Sequence, residues 1–248
     1  MLQAAKDLVR LLDAQLCRGE RVYTVDGVEM RLAAPRCWQQ GDADAMAAEL
    51  RDYVAARERL PFDPERVLDC GAAVGVFTLL ASQWFPAADV LALEPDRRQR
   101  ILFRKNARAA GLLDRATLLP VGAFDREGSV AFRMHGDMSS VEGVTDVLRG
   151  YAFVRRAQVT TLDALASAHE LMSRRLLVKM DIEGAEIEAL AGAKRLLQKH
   201  PSIVLWVQAY HVRDGESTAR RCLECLEAAG LDCESDENGF IIARRSAG

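Results

Sequence analysis

Between Arg66 and Gln208, short apolar runs alternate with longer stretches whose apolar residues recur every three or four positions. The runs 66–70, 89–93, 115–119, 175–181 and 203–208 are too short and too uniformly apolar for surface helices, so they predict buried strands. The intervening stretches 76–84 and 96–110 have helical spacing (Ile101, Leu102 and Ala109 in the second), and Gly111 ends the second helix. The order strand–helix–strand–helix–strand predicts an α/β fold with a doubly wound, mostly parallel sheet. Ser129–Met134 alternates like a strand and is followed by a polar, glycine-containing loop to about residue 150. A strand over 154–160 and a helix from Thr161 or Asp163 to Met172 come next. A helix opens within Ile182–Glu186 and runs to about His200, and another spans 217–229 and ends at Gly230. The chain closes with an antiparallel hairpin, 231–234 and 240–243, around Asp236–Gly239.

Before Arg66 the pattern is different. Leu2, Ala5, Leu8, Val9, Leu12 and Leu16 form an amphipathic helical stripe that can pack on the core or on a second subunit, which permits a homodimer. Arg21–Val25 and Val28–Leu32 flank Asp26-Gly27, a hairpin signal. Asp42–Leu60 reads as a helix that Pro61 and Pro64 end. Residues 1–64 are therefore an expected N-terminal helix and hairpin extension, and residues 65–248 the main domain, with 135–160 as an insertion or lid.

Composition narrows the classes. Of 248 residues half are apolar, which is enough for a substantial core, and the formal net charge of −3 gives no basic field for nucleic acid. No apolar run is long enough to span a membrane and no signal-peptide pattern opens the chain, so a cytoplasmic protein is expected. The six cysteines include Cys222-x-x-Cys225, but no second Cys/His pair completes a zinc set, and reduced thiols are expected.

The first chemical signal lies at 67–77. A strand runs into Asp69-x-Gly71-x-x-x-Gly75, whose glycines allow a tight loop and close ligand approach. The next strand ends in Glu94, placed to accept hydrogen bonds from ribose hydroxyls. In such sheets ligands sit at the carboxyl ends of the strands, which puts Asp69–Gly75, Glu94 and Val121–Phe124 on one rim. The second signal is Lys179-Met-Asp181-Ile-Glu183-Gly-Ala-Glu186, a lysine and three carboxylates crowded at the mouth of a strand. Lys179 and Asp181, two apart, share a face of the sheet. Charge collected there marks a site more often than a core. His135 and His211 follow as candidate bases, Ser139-Ser140 as substrate contacts, and His169 and His200 as surface residues. Asp181, Glu183 and Glu186 admit a metal, but no spacing requires one and none is assigned.

These stretches together resemble the FkbM family of methyltransferases, over roughly residues 66–208. The carrying residues are Asp69-x-Gly71-x-x-x-Gly75 with Thr78, Glu94-Pro95, Asn106, Thr161-Leu162-Asp163, and Lys179-x-Asp181-x-Glu183-Gly184-x-Glu186 followed by Leu190 and Gly192-Ala193. Ala73 stands where family members often have Asn, and Gln208 where they often have Glu. The resemblance implies a seven-stranded Rossmann-like sheet and S-adenosylmethionine as cofactor. It implies methyl transfer, usually to a hydroxyl of a sugar or secondary metabolite. On that basis Asp69, Gly71, Ala73 and Gly75 are expected at the methionine end of the cofactor, Glu94 with Pro95 at the ribose, and Gly122 or Ala123 at the adenine. Asp181 or Glu183 is expected as base or hydroxyl acceptor, with Lys179 orienting them and His211 as a further candidate base. The partner implied is a small-molecule hydroxyl acceptor. N- or RNA-directed methylation, or non-catalytic cofactor binding, are the competing readings.

Overall fold

The central strands have almost no polar side chains, so each needs cover on both faces. The computed structural model, which describes residues 20–25, 28–33, 50–134, 140–141 and 153–245, supplies it. β1 (Glu20–Val25) and β2 (Val28–Ala33) form an antiparallel hairpin, and a helical segment, α1, covers residues 50–57. The core alternates β3 (Arg66–Cys70), α2 (Val76–Trp84), β4 (Asp89–Leu93), α3 (Arg97–Ala109) and β5 (Ala116–Leu119). A side sheet follows, with β6 (Gly122–Ala123), β7 (Gly128–Met134), β8 (Ser140–Val141) and β9 (Phe153–Thr160) in the order 6-9-7-8. Then come α4 (Leu162–Ala168), β10 (Leu176–Met180), α5 (Glu186–Ala191), α6 (Lys194–Lys199) and β11 (Ile203–Gln208). A small hairpin, β12 (Val212–Arg213) and β13 (Glu216–Ser217), precedes α7 (Ala219–Ala228), β14 (Asp232–Ser235) and β15 (Phe240–Arg245).

The main sheet has seven strands in the order 14-15-11-10-3-4-5. All pair in parallel except β15, which is antiparallel to both β11 and β14. The chain winds outward from β3 to β5, then outward the other way from β10, so the direction switches between β3 and β10. Ligands collect at such a switch point. The two-residue period of the strands sorts the core. Val67, Val90, Leu177, Val204 and Trp206 face α2, α3 and the N-terminal residues Leu32, Leu50 and Tyr53. Leu68, Leu91, Val178, Leu205 and Ile241 face α4 to α7.

The described part of the N-terminal extension shares the first of these cores. Leu32 is fully buried, and Tyr53 packs against Phe77, Trp206 and Phe240. The Leu2–Leu16 stripe, Asp42, and residues 135–139 with His135 and Ser139 lie outside the described residues.

Three expectations are corrected. The single helix expected from about 182 to 200 is two short helices preceded by a turn. Residues 182–185 form that turn, and Glu183 and Gly184 have φ of +57° and +95°. At the break, Gly192 leaves room for the chain after β6: a Cβ there would lie 2.1 Å from the Phe124 carbonyl oxygen. The helix expected to Met172 stops at Ala168, followed by a 3-10 turn at Leu171–Ser173. His200 is not a surface residue: it is fully buried, with Nε2 2.9 Å from the Leu171 carbonyl oxygen and Nδ1 accepting from the Ser202 amide.

Candidate active site

Asp69 stands directly opposite Lys179 in the parallel register of β3 and β10, on the face toward α2. Both are buried. Asp69 Oδ2 accepts a 2.6 Å hydrogen bond from Thr78 Oγ1, and Oδ1 lies 3.3 Å from Lys179 Nζ. Lys179 Nζ also donates to the carbonyls of Gly71 (2.8 Å) and Cys70 (3.4 Å). Burial works against the ammonium charge, but Asp69 and then Asp181 outweigh it and hold the Lys179 pKa above its ordinary value. The pair fastens the 71–75 loop from beneath.

The loop turns through positive φ at Gly71 (+79°), Ala73 (+46°) and Gly75 (+94°). Gly71 is required by contact as well as by conformation, because a Cβ there would lie 1.9 Å from the Asp181 carbonyl oxygen. Glu94 closes the other side. Its Oε2 accepts the Ala73 amide at 2.9 Å and its Oε1 the Asp96 amide at 2.6 Å. Burial pushes its carboxyl up to about 7, against the pull of those two amides. Arg100 donates to the carbonyls of Glu94 and Pro95, and fixes this corner from α3. Gly122 faces Pro95, whose Cγ would lie 3.8 Å from an added Cβ, and Ala123 is buried behind it. Asn106 joins the loop to the N-terminal hairpin: it donates to the carbonyls of Val74 and Ala33 and accepts the Ala33 amide.

A second group assembles at the ends of β10 and β11. Asp181 follows the last residue of β10. The 182–185 turn, with its two positive-φ residues, swings Glu183 back, and Glu186 Oε1 secures it by accepting from the amides of Ile182 (3.2 Å) and Gly184 (3.1 Å). His211 arrives three residues past β11, where the Thr218 amide donates to its carbonyl and Arg213 pairs with Glu188. Its Nε2 lies 3.4 Å from Glu183 Oε2 and 4.0 Å from Asp181 Oδ1, and its Nδ1 lies 3.2 Å from Glu186 Oε1. Burial raises the carboxyl pKa of both Asp181 and Glu183, while Lys179 and His211 pull the first down and His211 the second. Burial lowers the His211 pKa, but Glu183 and Glu186 overcome this and lift it to about 11. Tyr210 and Val212, on either side of His211, are exposed.

The two groups touch where the Gly71 backbone meets the Asp181 carbonyl, and the Asp181 amide donates to Cys70 at 3.2 Å. The structure thus brings Asp69, Gly71, Ala73, Gly75, Glu94, Pro95, Lys179, Asp181, Glu183 and His211 to one rim. Gln208 is apart from them, buried and donating to Tyr53 Oη. Thr161 and Asp163 are structural: Thr161 caps α4, and the Asp163 carboxylate accepts the amides that open α6. Arg100 and Tyr210 carry no spacing signal in the sequence. Glu186 sits in the motif, but its part in holding His211 was not readable, since His211 lies 25 residues further on.

The seven-stranded sheet, the loop after its first parallel strand and the acid ending the second together define the frame of a Rossmann-like, S-adenosylmethionine-dependent methyltransferase. The chain belongs to the FkbM methyltransferase family, whose domain model matches residues 69–233. It is similar to the 2-O-methyltransferase NoeI of Sinorhizobium fredii, at 29% identity over 179 residues, 66% of this chain and 72% of that protein. A shorter stretch of 56 residues is 41% identical to the type II methyltransferase M.XamI of Xanthomonas campestris pv. amaranthicola, over 23% of this chain and 11% of that protein. Among solved structures, the precorrin-6y C5,15-methyltransferase of Geobacter metallireducens superposes with a TM-score of 0.48 at 17% identity, over 88% of this chain and 94% of that one. Among the described residues no helix is long and apolar enough to cross a membrane.

Proposed function

We propose that the protein transfers the methyl group of S-adenosylmethionine to a hydroxyl oxygen of a small molecule, a sugar or secondary metabolite. The observation that carries this reading is the group of Asp181, Glu183 and His211 at the ends of β10 and β11, held against the 71–75 loop. The cofactor fits the first group. Glu94 is a buried carboxylate whose two oxygens keep spare lone pairs for a ribose diol, and Gly122, beside Pro95, has no side chain to crowd a base. Asp69 and Lys179 shape the loop from below rather than reach the ligand. Bound there, the cofactor supplies a methyl carbon on a sulfonium leaving group.

The chain's own contribution is alignment and proton removal. The acceptor hydroxyl docks at the Asp181–Glu183–His211 group, and a carboxylate of that group takes its proton as the new carbon–oxygen bond forms. Exposed Tyr210 and Val212 offer an apolar wall beside it. The name of the relative NoeI, a 2-O-methyltransferase, supports oxygen as the acceptor.

The test is transfer of labelled methyl from S-adenosylmethionine to a panel of sugars, other alcohols and amines, with products identified by mass spectrometry. O-methyl ethers are expected. Asp181→Asn should lower kcat by about 10²-fold or more while the cofactor Kd changes by less than about threefold. Methylated amines as the products, or equal loss of kcat and cofactor affinity in Asp181→Asn, would overturn the reading.

A further inference from the structure

We propose that Asp181, Glu183 and His211 form a binding site for one divalent cation of the Mg2+ or Mn2+ kind. One donor atom from each lies within 4.8 Å of the other two. An octahedral ion with bonds of about 2.1 Å sets neighbouring donors about 3 Å apart and opposite ones about 4.2 Å apart. The separations of His211 Nε2 from Glu183 Oε2 (3.4 Å) and Asp181 Oδ1 (4.0 Å) already fall in that range. Two carboxylates and one imidazole suit Mn2+ well, since it accepts both oxygen and nitrogen donors.

One further observation points to a ligand, and two more describe how the donors are held. First, the His211 side chain is 7% exposed, yet neither of its ring nitrogens has a hydrogen bond of acceptable geometry, and buried Asp181 Oδ1 also lacks one. Buried polar atoms without partners are uncommon in finished structures. A cation between the two carboxylates and Nε2, which would give up its proton as the ion binds, satisfies all of them but Nδ1. Second, Nδ1 lies 3.2 Å from Glu186 Oε1, which is itself fixed by the Ile182 and Gly184 amides. A carboxylate behind the far nitrogen is how metal-binding histidines are oriented. Last, Glu183 at φ +57° turns its carboxylate toward His211. Lys179 acts on Asp181 only through space, because its Nζ is bonded to the Gly71 carbonyl and paired with Asp69.

The site deepens the proposed methyl transfer and for its role rests on that reading: the cation would take the acceptor's hydroxyl oxygen as a further ligand, fix its direction and ease loss of its proton to the non-ligating oxygen of Asp181 or Glu183. Binding itself does not depend on that reading. The test is titration of the EDTA-treated full-length protein with Mn2+ alone, free Mn2+ being followed by its EPR signal. One equivalent per chain is expected. Asp181→Asn and Glu183→Gln should each weaken it at least tenfold, and Glu186→Gln about 10- to 100-fold, with thermal unfolding confirming that each variant folds. No binding at millimolar Mn2+, or binding that none of these variants changes, overturns the site. Methyl transfer at full rate in EDTA by a protein that binds Mn2+ overturns the cation's part in the reaction and leaves the methyltransferase reading standing. Specific Mn2+ binding without methylation of any alcohol supports the site and counts against that reading alone.

Discussion

The rim has two halves built on opposite plans. Around the 71–75 loop most of the charges are met locally, with Asp69 Oδ1 left to an ion pair with Lys179 at 3.3 Å and no hydrogen bond of its own. Asp69 is bonded to Thr78 and paired with Lys179, Lys179 is bonded to the Gly71 carbonyl, and both Glu94 oxygens hold backbone amides. At the ends of β10 and β11 the charges face one another as ion pairs through His211, but Asp181 Oδ1, Glu186 Oε2 and both His211 nitrogens are buried without well-formed hydrogen bonds. A satisfied half is a rigid socket that needs only to be filled. An unsatisfied half stores unmet polar demand that an acceptor, a proton or an ion can meet.

The largest expected effect comes from breaking the junction between the halves. Gly71→Ala places a Cβ 1.9 Å from the Asp181 carbonyl oxygen at φ +79°, so β10 and the loop must part. We expect a loss of more than about 3 kcal/mol in denaturant unfolding; a loss below 1 kcal/mol would mean the two halves are not in contact.

Next is the buried pair. Lys179→Met leaves Asp69 buried with Thr78 as its remaining partner, at a cost of about 3–5 kcal/mol. Adding Asp69→Asn should restore part of it. A double variant no more stable than Lys179→Met would remove the pair as the loop's fastening.

A smaller effect separates the halves by pH. Glu94 titrates near 7 when folded, against about 4.5 ordinarily, so the folded chain keeps a proton there that the unfolded chain has lost. Its contribution therefore favours the fold at low pH and is lost as pH rises toward 7. Cofactor binding runs the other way. The ionised carboxylate is the better acceptor of ribose hydroxyls, so S-adenosylmethionine affinity should fall about tenfold per pH unit below 7 and level off above it. Calorimetry at pH 5.5 to 8 reads this, and Glu94→Gln should flatten the profile; a slope that survives in the variant would assign the titration to another group.

Least costly is Asn106→Ala, which unties the loop from β2 at about 1–2 kcal/mol. Thermal unfolding should show a modest drop and the cofactor Kd should rise, because the loop then loses its outer tie. A Kd unchanged within error would make the N-terminal hairpin a bystander to the socket.

The readability of the chain follows the same division. The strand 66–70, the helix 76–84 and the strand 89–93 are found at their expected bounds, because buried parallel strands and amphipathic helices write their periods into consecutive residues. Asp69, Gly71, Gly75 and Glu94 were legible for a related reason: a strand end, a tight loop and a helix start are fixed by residues within one βαβ unit. The single helix expected over Ile182–His200 is broken at Gly192, where only a glycine leaves room for the Phe124 carbonyl, a neighbour from another element. His200 was misplaced for the same reason, since its partner Leu171 belongs to another element.

What the sequence determined by itself is the order of strands and helices, the glycine loop and the acids at the strand ends, all consequences of local sterics and of which residues must leave water. What only the tertiary structure decided is who meets whom. Asp69 pairs with Lys179 across 110 residues because β3 and β10 lie side by side in register. His211 meets Asp181, Glu183 and Glu186 because β11 lies beside β10 and its following loop folds back over α5. Parallel pairing brings together residues far apart in the chain, and no local period records that choice.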